Sequence, residues 1–239
     1  MPVQIRHGSV TALAAQAPSP SMWMSGSECA RASAIRAEPR RAQFIAGRWL
    51  ARRLLAETLG GSWRDWTLTA EDDAPPRVSG PAPATLSISH SGDVVACAAG
   101  TVPVGIDVEA RAPRRDLGAL YDAITTDEER RVVAAHLDAG ADSMLPDAML
   151  QCFTHAWALK EACIKREGGG LFHTMLGHAV RIDAAADAAR ANACTWQWEG
   201  HVLALSAETA SIAALTHSPT LSTFAGPRYW KLTRHLASR

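Results

Sequence analysis

Two segments with helical hydrophobic spacing, and two groups of short strand-like runs, predict a mixed fold of helices and strands. The first helical segment is 28–58, where Phe44, Ile45, Trp49, Leu50, Leu54 and Leu55 recur every three to five positions. The second is 153–166. The strand-like runs cluster at 86–109 and again at 180–215.

Taken in order, residues 1–30 are rich in Ala, Ser and Pro and read as loop, apart from a short strand near 3–6. Arg41, Arg48, Arg52 and Arg53 fill the non-apolar positions of the first helix, which ends at Gly60-Gly61. Residues 71–83 are proline-rich and read as an ordered loop. Strands at 86–89 and 94–99 flank His90-Ser91-Gly92-Asp93, and a third, 104–109, follows the turn 100–103. Residues 116–139 read as helical, with Thr125 or Thr126 capping the start at Asp127-Glu128-Glu129. The 153–166 helix stops at Gly168-Gly169-Gly170. Strands are expected at 180–182, 195–199, 202–206 and 212–215, and a basic tail follows Pro219.

At 239 residues the chain is long enough to bury a substantial core. Its formal net charge is zero, so no whole-molecule attraction to nucleic acid is indicated. No run reaches the ~18–20 apolar residues of a membrane span, and the first residues lack the pattern of a signal peptide. The five cysteines form no C-x-x-C pair and read as reduced, mostly buried thiols of a cytoplasmic protein.

The chemistry concentrates in three places. In Val104-Gly105-Ile106-Asp107-Val108-Glu109, strand alternation sends Ile106 and Val108 to one face, and Asp107 and Glu109 to the other. Gly105 shares the acidic face and is expected to leave it open to a ligand. Adjacent carboxylates repel, and a hard cation such as Mg²⁺ relieves the conflict; a solvated acidic strand face is the alternative. On the second helix, Trp157, Glu161 and Lys165 lie on one stripe. They offer a further ligand or base and a phosphate-binding cation, or simply a surface ion pair. In Ser87-Ile88-Ser89-His90-Ser91-Gly92, three hydroxyls and an imidazole form a candidate phosphate cradle. A serine-hydrolase site is disfavoured, because no G-x-S-x-G elbow occurs.

In combination, S-x-S-H-S-G, then V-G-I-D-V-E, then W-x-x-K-E-A-x-x-K-x-E-G-x-G-L resembles the Sfp-type 4′-phosphopantetheinyl transferases over about residues 40–205. The resemblance implies an α+β fold of two similar αβ halves related by a pseudo-twofold. An N-terminal half, 1–103, would lie on the coenzyme A side. A C-terminal half, 104–218, would carry the metal site and carrier docking, with the tail at 219–239. It implies transfer of phosphopantetheine from coenzyme A to a serine of an apo acyl or peptidyl carrier protein.

Asp107, Glu109 and Glu161 would hold Mg²⁺, with Glu161 as ligand or general base. Asp107, Glu161 and Lys165 would carry the catalysis. Ser89, His90 and Lys165 would contact coenzyme A, and Arg41, Arg48, Arg77 and Lys160 are further candidate cations for it. Glu128 matches a helix-starting glutamate near the active site, and 168–176 matches part of the carrier-docking surface. Arg111, Arg114, Arg115, Lys165 and Arg166 are candidates for a locally basic docking face. The chain departs from the family at Ala74-Pro75-Pro76, where Gly-Lys-Pro is common, and at Gln43, where an arginine is expected. A chain holding both halves is expected to act as a monomer, without membrane or nucleic acid. A different magnesium-dependent phosphoryl enzyme, or a non-catalytic carrier-binding relative, are the other readings.

Overall fold

The structure, a computed structural model, describes residues 3–70, 75–139, 145–168, 179–215 and 224–234. Two 22-residue helices, each laid on an antiparallel sheet, organise it as an α+β fold. In the N-terminal half, β1 (Gln4–Ser9), β5 (Val94–Gly100) and β4 (Thr85–Ser91) form a sheet in the order β1-β5-β4. Helix α3 (Glu38–Leu59) covers one of its faces. Every residue of β5 is buried: Val95, Cys97 and Ala99 join the core under α3, while Val94, Ala96 and Ala98 enter a second core between the two sheets. A strand buried on both faces reads as an unbroken apolar run, and this one does.

The first helical segment divides in two. Ser25 and Glu28 form a capping box that starts α2 (Gly26–Ala34), and α3 starts afresh at Glu38 with Pro39 in its first turn. Proline has no N–H and clashes with a preceding turn, so one helix cannot run through 39. The region expected to be loop also contains α1 (Val10–Gln16), capped by Ser9. Two short strands, β2 (Thr67–Leu68) and β3 (Val78–Ser79), pair across the proline-rich stretch.

The C-terminal half holds β6 (Gly105–Ala110), β7 (Val180–Ala184), β8 (Ala193–Trp198), β9 (His201–Ser206) and β10 (Arg228–Arg234), ordered β6-β9-β8-β10-β7. Within the expected tail, the described residues 228–234 belong to this sheet. Their alternation buries Trp230 and Leu232 and exposes Lys231 and Thr233, which makes them a strand between β8 and β7. The 116–139 stretch is two helices, α4 (Leu117–Ile124) and α5 (Asp127–His136), the second begun by a Thr126–Glu129 capping box. Helix α6 (Pro146–Glu167) packs on the sheet and stops at Gly168, whose φ of 71° suits glycine. The strand expected at 212–215 is instead the end of helix α7 (Thr209–Leu215), which buries Ile212 and Leu215 three positions apart.

Strands β4 and β6 are the facing edges of the two sheets. β6 bonds β9 with one set of its backbone groups, and its outward N–H groups meet side chains instead of a strand. Ser87, Ser89 and Ser91 Oγ accept from Ile106, Val108 and Ala110 N–H at 3.0, 3.3 and 3.0 Å. A ladder of serine hydroxyls thus joins the halves and satisfies an edge that would otherwise carry orphaned donors.

Candidate active site

The acidic face of β6 meets the Glu161–Lys165 stripe of α6. The opening expected at Gly105 is filled by the helix itself: a Cβ there would lie 1.9 Å from the Ala162 carbonyl oxygen and 2.5 Å from Arg166 N. The missing side chain brings the helix close, and closeness brings its charges to Asp107. Lys165 Nζ donates to Asp107 Oδ1 at 2.6 Å and to Ser89 Oγ at 3.1 Å, and lies 3.3 Å from Glu161 Oε2. Ser89 Oγ in turn donates to Asp107 Oδ1 at 2.7 Å. The three hydroxyls expected to cradle a phosphate, Ser87, Ser89 and Ser91, all accept from β6 N–H groups at the seam between the halves.

Three carboxylates share this space with too few cations. Burial, then the charge of Asp107, pushes Glu161 up to about 7, against the pull of Lys165. Burial and Asp107 likewise push Glu109 up to about 7, although Arg114 donates to its Oε2 at 2.9 Å. Burial works against the charge of Lys165, but Asp107 and Glu161 outweigh it and hold its pKa above the usual value. Asp107 is 1% exposed, and its Oδ2 is buried without a hydrogen-bond partner.

Among the described residues, no three acidic, His or Cys side chains close on one point as a finished ligand cage. The donor set nevertheless suits a hard divalent cation. Hard oxygen donors, an unpartnered carboxylate oxygen and two carboxyls resisting ionisation are the features a cation relieves. Mg²⁺ takes only one or two carboxylates, leaving its other positions to water and phosphate.

On the other side of β4, His90 turns toward α3. Arg40 Nη1 lies 3.0 Å from its Nδ1 and also contacts Nε2. Burial, then the charges of Arg40 and Lys165, lowers His90 to about 4, so the ring is neutral at pH 7. Arg40 is the cation that motif reading assigned no role. Its signal was helical: Arg40, Gln43 and Gly47 share one face of α3, where Gln43 Nε2 donates to Gly92 O at 2.7 Å and Gly47 packs on Ile88. Gln43 therefore anchors the β4–β5 turn, and the charge sits one turn earlier.

The other candidate cations fall elsewhere. Lys160 is a correction: it is 1% exposed, donates to Ile124 O at 2.6 Å and pairs with Glu129 at 2.8 Å, inside the C-terminal core. One position round the helix from Glu161 is a change of about 100°, enough to move a side chain from site to core. Arg48 is also turned inward, donating to Thr69 O at 2.8 Å and lying 3.7 Å from Glu28. Arg41 pairs with Glu38 at the surface. Arg77 stands beside β3, its N–H donating to Thr69 Oγ1 at 3.3 Å. Glu128 pairs with Arg181 at 2.9 Å on an exposed face, while its neighbour Glu129 caps the helix and receives Lys160. Of the 168–176 segment, only Gly168 lies within the described residues.

The family model of the 4′-phosphopantetheinyl transferase superfamily matches residues 103–215, which include Asp107, Glu109, Glu161 and Lys165. The chain is 31% identical over 99 residues to the 4′-phosphopantetheinyl transferase Sfp of Bacillus subtilis, covering 41% of this chain and 40% of that protein. It is 30% identical over 131 residues to AcpT of Salmonella typhimurium, covering 54% and 60%. In both, the chain spans less than two thirds of the relative's length. A solved holo-(acyl-carrier-protein) synthase from Bacillus anthracis, in complex with CoA, aligns at 18% identity and a TM-score of 0.35, over 41% of this chain and 92% of that one. The matched segment, a little under half of the chain, is similar to the 4′-phosphopantetheinyl transferase superfamily and holds the carboxylates and the lysine.

Proposed function

We propose that the protein transfers the 4′-phosphopantetheine arm of coenzyme A to a serine of an apo carrier protein and releases 3′,5′-ADP. The observation that carries this reading is the position of the charged cluster. Across the seam, Ser89 of the N-terminal half is bonded to Asp107 and Lys165 of the C-terminal half, Glu161 lies beside that lysine, and the charges of Lys165 and Asp107 reach His90, which Arg40 contacts from α3. A ligand lying across that seam meets cations at one end and carboxylates at the other, which matches a pyrophosphate flanked by a reacting hydroxyl.

Asp107 and Glu109, with Glu161, would hold Mg²⁺. When bound, Mg²⁺ supplies charge neutralisation and Lewis acidity at phosphate oxygens. The chain's own residues do the rest. Lys165, already oriented by Asp107 and Ser89, faces the phosphates with a fixed charge. Arg40 and neutral His90 provide donors further along the pyrophosphate or at the nucleotide phosphate. Glu161 takes the proton from the carrier serine, directly or through a water. The serine oxygen forms a new bond to the β-phosphorus as the bond to the bridging oxygen breaks, and that oxygen leaves on 3′,5′-ADP. Positioning and charge stabilisation are the main demands of such a transfer.

The test uses purified protein, coenzyme A, MgCl₂ and a panel of apo carrier proteins weighed intact by mass spectrometry. A phosphopantetheine mass gain that depends on Mg²⁺ and disappears in Asp107→Ala is expected. In the same preparation Arg40→Ala should weaken coenzyme A binding about tenfold by calorimetry, as loss of a charge-assisted hydrogen bond predicts. No gain on any carrier, together with no coenzyme A binding, would overturn the proposal.

A further inference from the structure

The loop 111–116, between β6 and α4, carries an arginine that does not point into solvent. Arg114 donates to Glu109 Oε2 at 2.9 Å, and its guanidinium stands 5.3 Å from the Phe153 ring centroid and 5.6 Å from that of Trp157. Its side chain is 33% exposed, and Glu109 is 19% exposed. The loop's start is pinned by Arg111 N–H on Gly200 O at 2.8 Å, and by an Arg111–Asp147 ion pair at 3.0 Å. Its end is set by Asp116 in the left-handed region, with a φ of 55°. Between those fixed ends, Arg114 ties the loop to α6 and to a carboxylate of the active site. Lys165 makes the corresponding contact with Asp107.

We infer that Arg114 is a built-in counter-ion for Glu109 that competes with a divalent cation, so that cation binding releases the 111–116 loop from α6. This rests on the reading of Asp107, Glu109 and Glu161 as the cation's ligands. A carboxylate oxygen that accepts from a guanidinium N–H is less available to a metal, and a metal close to Glu109 repels the guanidinium. The stacking on Phe153 and Trp157 holds Arg114 in the competing position. Arg114 is thus a positioning residue: it sets when Glu109 is free and whether the loop, which also carries Arg115, is docked or loose.

Binding of Mg²⁺ by calorimetry, and of Mn²⁺ by electron paramagnetic resonance, is measured on the wild-type protein, Arg114→Gln, Arg114→Lys, Arg115→Gln and Asp107→Asn. Arg114→Gln should bind the cation about fivefold more tightly, the equivalent of removing a partly exposed ion pair of ~1 kcal/mol. Arg115→Gln removes the same charge from the same loop and should change affinity less than twofold. Arg114→Lys should lie between Arg114→Gln and the wild type. Limited trypsinolysis read by intact mass gives an independent signal: Mg²⁺ should speed cleavage after Arg114 and Arg115 in the wild type. In Arg114→Gln, cleavage after Arg115 should be fast with or without Mg²⁺. Equal cation affinity in Arg114→Gln and wild type, or protection of the loop by Mg²⁺, overturns the inference and leaves the cation site standing. No cation binding by the wild type, or binding that Asp107→Asn does not weaken, overturns the cation site and the inference with it.

Discussion

At the scale of single residues, the site depends on atoms that are absent as much as on those present. Gly105 has no Cβ, and the Ala162 carbonyl and Arg166 amide of α6 occupy the space where one would be. Gly105→Ala must push the helix away or distort the strand, at a cost of about 3 kcal/mol or more. Urea unfolding should show a lower midpoint with an unchanged slope, and the same shift should weaken coenzyme A binding by separating Lys165 from Asp107. A midpoint within error of the wild type would mean that the helix and strand are not in the contact described. Residue by residue, the acidic pair Asp107 and Glu109 and the stripe Glu161–Lys165 were legible, because strand and helix periodicities place each on one face. Lys160 was misread because sequence shows a lysine in the motif but not which way the helix is turned.

At the scale of elements, α6 serves two interiors at once. One face carries Glu161 and Lys165 to the site, and the other buries His155 against β8. His155 is 1% exposed; its Nδ1 lies 3.0 Å from Thr195 Oγ1, and its Nε2 lies 3.2 Å from Gln197 Nε2. Burial, then the charges of Arg111, Arg228 and His136, lowers its pKa from 6.5 to about 3. A histidine held neutral in the folded protein but free to protonate when unfolded stabilises the fold fully above pH ~6.5, and that stability is lost as pH falls toward about 3. Between pH 7 and pH 5 the loss from this one residue is about 2 kcal/mol. Unfolding free energies at the two pH values should differ by about that much less in His155→Gln than in the wild type. An unchanged pH dependence would show that the ring protonates as readily folded as unfolded. The helix boundaries were only partly readable: Gly168 and Thr126 announced an end and a start, whereas the break before Pro39 was obscured by apolar residues on both sides.

At the scale of the whole molecule, two sheets stay distinct while sharing one interior. Val94, Ala96 and Ala98 of one sheet and Ile106, Val108, Leu203 and Leu205 of the other form the central core, and the serine ladder closes the edge between them. Ser87→Ala with Ser91→Ala leaves the Ile106 and Ala110 N–H groups without those acceptors. Since a buried unsatisfied donor costs ~1–3 kcal/mol, the pair should destabilise by about 2–5 kcal/mol while sparing Ser89 and its contact with Asp107. Each substitution alone should account for about half. The check is denaturant unfolding of both singles and the double, and additive losses near zero would mean that water replaces the hydroxyls at no cost.

The sequence by itself determined the local order: an acidic strand, a charged helical stripe, a serine–histidine strand end, and the resemblance those three carry together. These are legible because each depends only on spacing along one element. Tertiary structure alone decided that the serines join two sheet edges, that Gly105 admits a helix and not a ligand, and that residues 228–234 of the basic tail form a strand between β8 and β7. It also decided that Arg40, and not Arg41 or Gln43, reaches His90. Each of these concerns which face of one element meets which face of another. Such meetings follow from packing across long stretches of chain, and spacing within one element does not encode them.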